Sequence, residues 1–255
     1  MSPDLPQVPR GSGQHFVPMV ALAANQLDAS ADFYARLLGV KPMKLSPELA
    51  VIATASGPAL SLRAGTPEGF PTAVPFLFAP DVPATLAKLV AGGGAIEREP
   101  WTMPMVGTLA RFKDPSGTVW GLTSGSPLGT PPHVPMPFGT NPKPAAGTVC
   151  SLEMYAADGE AAGKWFGTHF GWGALPTMPR FVAFDPGAGI GGVFQSHTPA
   201  LPAVPYVYVA DVKATLASIT ASGGQPLGDP MAMPGMATFG YFKDPSGTSM
   251  GLIGG

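Results

Sequence analysis

The sequence predicts an α+β protein made of two related domains, and three observations carry that expectation. The string Phe-Lys-Asp-Pro-Ser-Gly-Thr occurs at Phe112–Thr118 and again, 130 residues later, at Phe242–Thr248. At the same spacing Val82-Pro-Ala-Thr-Leu-Ala answers Val212-Lys-Ala-Thr-Leu-Ala, and Met103-Pro104 answers Met233-Pro234. A repeat of so long a period is a duplicated domain, not an array of small units. Second, strand-like runs and helix signals recur in the order β-α-β-β-β four times, twice in each half. Third, 255 residues are enough for two cores.

Taken in order, residues 1–14 read as a disordered tail, 15–124 as the first domain, 125–146 as a Pro-rich linker and 147–255 as the second domain. The linker segment carries seven prolines between Pro127 and Pro144 and shows no periodicity. In each domain a strand-like run precedes each of two helices: Phe16–Ala24, Pro75–Ala79, Val149–Tyr155 and Pro205–Val209. The first helix spans Leu27 to Gly39, capped by Asp28 or Ser30, with Phe33, Leu37 and Leu38 on one face and Gly39 as terminator. The second runs from a capping Asp81 to Gly94, with Leu86, Leu89 and Val90 as its buried stripe. Their counterparts are Asp158–Gly171 and Asp211–Gly224. Segments broken by Gly and Pro at hairpin spacing follow each helix.

Composition narrows the function. Apolar residues make up 45% of the chain and charged ones 12%, so core material is ample. A net charge of −2 gives no basic footprint, which argues against nucleic acid as a partner. The 34 glycines and 32 prolines lie between apolar runs, the pattern of a turn-rich β protein. A single cysteine, Cys150, excludes an intrachain disulfide and suits the cytoplasm. Neither a signal peptide nor a membrane-length apolar stretch is evident.

Phe33–Gly39 (FYARLLG), Asp81–Gly94 (DVPATLAKLVAGGG) and Asp114–Leu122 (DPSGTVWGL), followed by Lys164–Trp172 and Pro205–Val212 in the second half, resemble the vicinal oxygen chelate superfamily. This group holds glyoxalase I, extradiol dioxygenases and bleomycin-resistance proteins; the match here is to its two-domain glyoxalase-like members. The resemblance implies tandem glyoxalase-like domains, each of two βαβββ modules curving into an open cup with the ligand inside. It also implies positions for metal ligands on the first strand, at the start of the third quarter and after the Asp-Pro-x-Gly turn. Those positions fall on Met19, Val74 and Gly121, and on Ser151, Val204 and Gly251. Such side chains cannot chelate a divalent ion, so no metal and no cofactor are expected.

Other chemistry is thin. His15, His133, His169 and His197 share no ligand spacing. Asp114 and Asp244 recur, but Asp-Pro-Ser-Gly is a type I turn in which the carboxylate bonds its own turn amides. Gly247-Thr-Ser-Met-Gly251 matches a nucleophile elbow and lacks the helix that an elbow needs.

The informative residues are polar, inward-facing and unshared between the halves. With Ser151 facing the cup, strand alternation turns Glu153 and Tyr155 inward, against Ala21 and Ala23 in the first half. By the same parity Tyr206 and Tyr208 face inward, against Phe76 and Phe78. Met103 and Met105, and Met231, Met233 and Met236, precede the last hairpin of each half and suit a pocket lip. The expected function is metal-free binding of a small, mainly apolar or aromatic molecule by Ser151, Tyr155, Tyr206, Tyr208 and Met233, with Met19, Phe76 and Phe78 lining the first cup. The alternative is a cofactor-independent isomerase, lyase or hydrolase using Glu153 as general acid or base. A third option is a protein whose cups are filled by side chains. The small-molecule ligand's identity and the oligomeric state are not readable from the sequence.

Overall fold

In a computed structural model the chain forms two curled sheets with helices on their convex faces; residues 7–54, 56–104, 106–126, 129–196 and 203–254 are described. The first sheet holds β1 (Met19–Ala23), β2 (Met43–Ser46), β3 (Leu49–Ile52), β4 (Ala59–Arg63), β5 (Ala73–Phe78), β6 (Ala95–Met103), β7 (Gly107–Lys113) and β8 (Val119–Thr123). Its strand order is β2-β3-β4-β1-β5-β8-β7-β6. The second sheet is built from β9 (Val149–Tyr155), β10 (Gly173–Met178), β11 (Phe181–Asp185), β12 (Gly192–Gln195), β13 (Ala203–Tyr208), β14 (Gln225–Pro226), β15 (Met231–Met233), β16 (Ala237–Lys243) and β17 (Ser249–Gly254). It repeats the same order as β10-β11-β12-β9-β13-β17-β16-β14, with β15 added beside β16. Each half is therefore a pair of βαβββ modules meeting along β1 and β5, or β9 and β13.

The helices are α1 (Leu27–Leu38), α2 (Val82–Ala91), α3 (Gly159–Phe170) and α4 (Val212–Ala221). Asp81, Asp158 and Asp211 cap the last three as expected, each accepting an N–H from the first turn. Helix α1 departs from that pattern. Gln26 occupies its N-cap without a side-chain capping bond and donates instead to the Pro245 carbonyl. Asp28 lies in the first turn, and Ser30 is buried against Ser246 of the other half at 2.9 Å. The stripe on α2 is Val82, Leu86 and Leu89, while Val90 is 41% exposed because it falls on the outer side of the last turn.

The two halves pack through the repeated heptad, and they do so reciprocally. Phe112 meets Trp165 on α3, and Phe242 meets Phe33 on α1. The Thr118 hydroxyl donates to the Tyr155 carbonyl and the Thr248 hydroxyl to the Ala23 carbonyl, both at 2.9 Å. Ser116 accepts the Ala157 N–H and Ser246 the Gln26 N–H. Asp114 and Asp244 bond their own turn amides through Oδ1. Through Oδ2 they accept from the Trp120 indole at 3.0 Å and from the Tyr34 hydroxyl across the interface at 3.2 Å. Burial pushes both carboxyls up to about 6.

Of the expected tail, residues 1–6 lie outside the described residues. Residues 10–13 lie against the second sheet: Arg10 donates through Nε and Nη2 to the Gly187 carbonyl, and the Ser12 and Gly13 amides bond Gly171 and Pro186. No helix of the described residues is long and apolar enough to cross a membrane.

Candidate functional site

Alternation on the strands of the second sheet sorts its side chains cleanly. Cys150, Leu152 and Met154 of β9 enter the core shared with α3 and the other half, while Ser151 and Glu153 face the concave side. The same parity brings Tyr206 from β13, Ile253 from β17, Phe239 and Tyr241 from β16, and Val193 and Gln195 from β12 to one cavity of about 830 Å³. That volume is in the range of small-molecule sites. Met231, Met233 and Met236 form its lip, with Met231 54% and Met233 37% exposed. Pro135, Met136 and Phe138 of the Pro-rich segment lie across the mouth, Phe138 against Phe239 at 6.0 Å between ring centroids.

The floor holds the polar chemistry. Glu153, 6% exposed, accepts from the Tyr206 hydroxyl at 2.7 Å and from the Tyr241 hydroxyl at 3.3 Å, and the two phenol oxygens are 2.6 Å apart. Two phenolic protons thus serve three contacts, and the acceptor carboxylate holds the set together. Burial, then the Glu153 charge, pushes Tyr206 well above the usual phenol range and Tyr241 up to about 12. Both therefore stay protonated donors at neutral pH. The Gln195 side-chain oxygen is buried in the cavity wall without a hydrogen-bond partner. At the rim His133 Nε2 lies 2.9 Å from Asp185 Oδ2.

The register also tests the metal positions. Ser151, Tyr206 and Gly251 stand side by side across β9, β13 and β17, and Met19, Phe76 and Gly121 stand likewise across β1, β5 and β8. Val74 and Val204, expected as the second position, are in the neighbouring row opposite Ala21 and Glu153. In each half an aromatic ring lies over the glycine so closely that a Cβ there would fall inside it. The ring fills the space into which a third ligand would project. Among the described residues no three His, Cys, Asp or Glu side chains gather around one point, and the donor set does not fit a divalent ion.

Of the residues singled out from the sequence, Ser151, Glu153, Tyr206 and Met233 come together here. Tyr155 and Tyr208 are not among the cavity-lining residues; both end their strands, and Tyr208 packs against the main core. Met19 and Phe76 join Ala21, Val74, Leu109 and Val119 in an apolar cluster that fills the first cup, with Phe70, Trp101 and Met103 packed over it. Phe78 stacks on Phe16, with 5.2 Å between ring centroids. His169 packs against Trp165, and burial lowers its pKa. Cys150 is buried and its thiol is pushed up, which leaves it unreactive. Met105 and His197 lie outside the described residues. Sequence reasoning missed Tyr241, Gln195 and the segment over the mouth. Tyr241 was within reach, since it faces Arg111 in the repeat beside the shared Phe-Lys.

Comparison with known proteins agrees with this fold. The model of the Glyoxalase/Bleomycin resistance protein/Dioxygenase superfamily matches residues 15–122. A Didymella fabae glyoxylase-like domain-containing protein is 30% identical over 116 residues, 40% of this chain and 90% of its own length. "Putative glyoxylase CFP32" of Mycobacterium tuberculosis is 25% identical over 250 residues, 92% of each chain. Among solved structures, the Mn(II)-bound glyoxalase of Novosphingobium aromaticivorans covers 96% of this chain and 82% of its own with a TM-score of 0.64 at 16% identity. A homoprotocatechuate 2,3-dioxygenase variant from B. fuscum covers 100% and 74% with a TM-score of 0.66 at 12% identity. These two show a shared fold.

Proposed function

This chain belongs to the Glyoxalase/Bleomycin resistance protein/Dioxygenase superfamily, and from that premise we propose that its second cup binds a small, mainly apolar or aromatic molecule without a metal ion. One observation carries the reading: a cavity of about 830 Å³ with methionine and aromatic walls closes over a single hydrogen-bonded cluster, Glu153 with Tyr206 and Tyr241. Apolar walls supply affinity and a few fixed polar groups set orientation. Ser151, Glu153, Tyr206, Tyr241 and Met233 are the binding residues in this reading, and the aromatic row in each half takes the place of metal chemistry. We take 15–124 and 147–255 as the domains, in a cytoplasmic protein that does not engage nucleic acid.

Native mass spectrometry of the gently purified full chain tests this through a co-purifying small molecule. Titration with N-phenylnaphthylamine gives a defined probe: binding is expected to weaken in Glu153→Gln and to be indifferent to chelators. Loss of probe binding on chelation, with recovery on adding one metal, would overturn the metal-free reading.

The Glu153 cluster favours a second reading, a cofactor-independent isomerase, lyase or hydrolase. A carboxylate at the cavity floor can take a proton from a bound substrate while the two phenols, held protonated, donate to a developing oxyanion. In that case Glu153→Gln abolishes turnover while the probe still binds.

A further inference from the structure

The first cup is packed with its apolar cluster, yet its mouth gathers positive charge. Arg63 ends β4, Arg98 lies in β6, and Arg111 lies in β7 directly opposite Arg98 in the register. Only one of the three has a carboxylate partner: Arg111 donates through Nε and Nη2 to Glu97. Among the described residues no Asp or Glu oxygen lies within 4.0 Å of a nitrogen of Arg63 or Arg98. The Arg98 guanidinium sits 3.9 Å over the Trp101 ring, and that of Arg111 sits 4.4 Å over Phe70. Arg63 Nη2 reaches only the Met103 thioether, at 3.9 Å, and Arg63 Nε is buried with no partner at all.

A half-buried guanidinium whose Nε has no acceptor, facing two others, is costly to fold. Burial, and then the charges of Arg111 and Arg98, lower the Arg63 pKa. Ordinary packing of arginine stems over aromatic surface accounts for Arg98 and Arg111, but not for the buried Nε of Arg63. The second half bears on this too. In strand register Gln195 stands where Arg63 does, each paired with the last residue of the neighbouring strand, and Tyr241 replaces Arg111 in the repeat, so the charge belongs to the first half and not to the shared frame. A thioether is a weak acceptor on a flexible chain and yields readily to a stronger one.

We propose that Arg63, Arg98 and Arg111 form a binding site for a small oxyanion, a carboxylate or a phosphate, which takes the place of the Met103 sulfur on Arg63. Guanidinium forks suit the planar or tetrahedral oxygens of such groups. The faces of Trp101 and Phe70 beside them would accept a flat organic remainder.

The test is thermal unfolding of the full chain in sodium benzoate, sodium phosphate or sodium chloride at matched ionic strength. A saturable rise in Tm of at least about 2 °C over chloride is expected at millimolar benzoate, phosphate or both. Benzoate alone identifies a carboxylate site, phosphate alone a phosphate site, and both a general oxyanion site. Arg63→Gln, which copies the second half, should abolish the rise. Arg98→Ala, at an exposed position, should weaken it at least about threefold, and carries the test if Arg63→Gln does not fold. Equal shifts in chloride, no shift at all, or a full benzoate shift in both variants would each overturn the proposal. The last of these places benzoate in the second cup.

Discussion

The two cups share a frame and differ in what faces inward, and the differences are concentrated. By strand register and the repeat, Ala21 in the first is Glu153 in the second, Phe76 is Tyr206, Arg111 is Tyr241 and Arg63 is Gln195. Three of these four changes build or flank the Glu–Tyr–Tyr cluster of the second half. The first half answers with an apolar plug of Met19, Val74, Phe76 and Leu109 and puts its polar groups at the rim. Duplication thus kept what docks the halves together and let the concave faces diverge. A binding function in one half needs no chemistry in the other, and a filled cup adds core.

The largest expected effect lies in what the halves share. Asp114 and Asp244 each have a folded carboxyl pKa raised to about 6. The folded state therefore holds its protons more tightly than the unfolded chain, whose carboxyls titrate near 4. Stability contributed by these groups is complete below pH ~4, falls as pH rises towards 6 and is flat above it, by up to about 3 kcal/mol per aspartate. Asp114→Asn should remove one share of that slope. Denaturant titration at several pH values, taken as the difference from wild type, cancels the constant cost of altering the Trp120 bond. Equal slopes in wild type and variant would break the equivalence of the two turns.

Next in size is transplanting the second cup's acid into the first. Ala21→Glu forces a longer side chain among Met19, Val74 and Phe76, with Ser61 opposite it and the arginines at the mouth as its donors, and should cost about 2–3 kcal/mol by overpacking. Glu153→Gln should cost far less, because Tyr206 and Tyr241 can still donate to an amide oxygen. A well-folded Ala21→Glu variant would show that the first cup is less filled than its packing indicates.

The glycines under the two rings sharpen the comparison further. Gly121→Ala and Gly251→Ala each force a ring from its place and should cost about 2 kcal/mol. Only the second should also weaken N-phenylnaphthylamine binding, since it moves Tyr206 off Glu153. Equal loss of probe binding in both variants would assign the ligand to both cups.

Much of this was legible in the sequence, for reasons visible in the fold. The repeated heptad stood out because Phe, Ser and Thr each make a contact between the halves in both copies, so changing one breaks a matched pair, while Asp holds the turn in both and reaches across only as Asp244. Strand alternation placed Ser151, Glu153 and Tyr206 correctly because a buried face tolerates no slip of register. Tyr155 and Tyr208 followed the same parity, yet they lie at strand ends, where the sheet has passed the cavity. The cap on α1 was misplaced because Ser30 serves the other half and not its own helix. The cover from Pro135 to Phe138 was invisible, since no periodicity marks a Pro-rich segment that packs by shape.

The smallest expected effect separates the two phenols. Tyr206→Phe removes the 2.7 Å donor to Glu153 and leaves the carboxylate with the contact from Tyr241 at 3.3 Å, so it should cost about 1–2 kcal/mol. Tyr241→Phe leaves the short bond in place and should cost about 0.5 kcal/mol. The double variant should depart from the sum, because the phenols bond each other at 2.6 Å and share one acceptor carboxylate. Denaturation midpoints of the three variants give the coupling directly. In the first half, Phe76→Tyr would place a hydroxyl with neither Glu153 nor Tyr241 to meet it. It should destabilise where its mirror image, Tyr206, is held. Full additivity of the tyrosine pair, or a neutral Phe76→Tyr, would mean that the floor of the second cup is a set of independent contacts and not a cluster built to face a ligand.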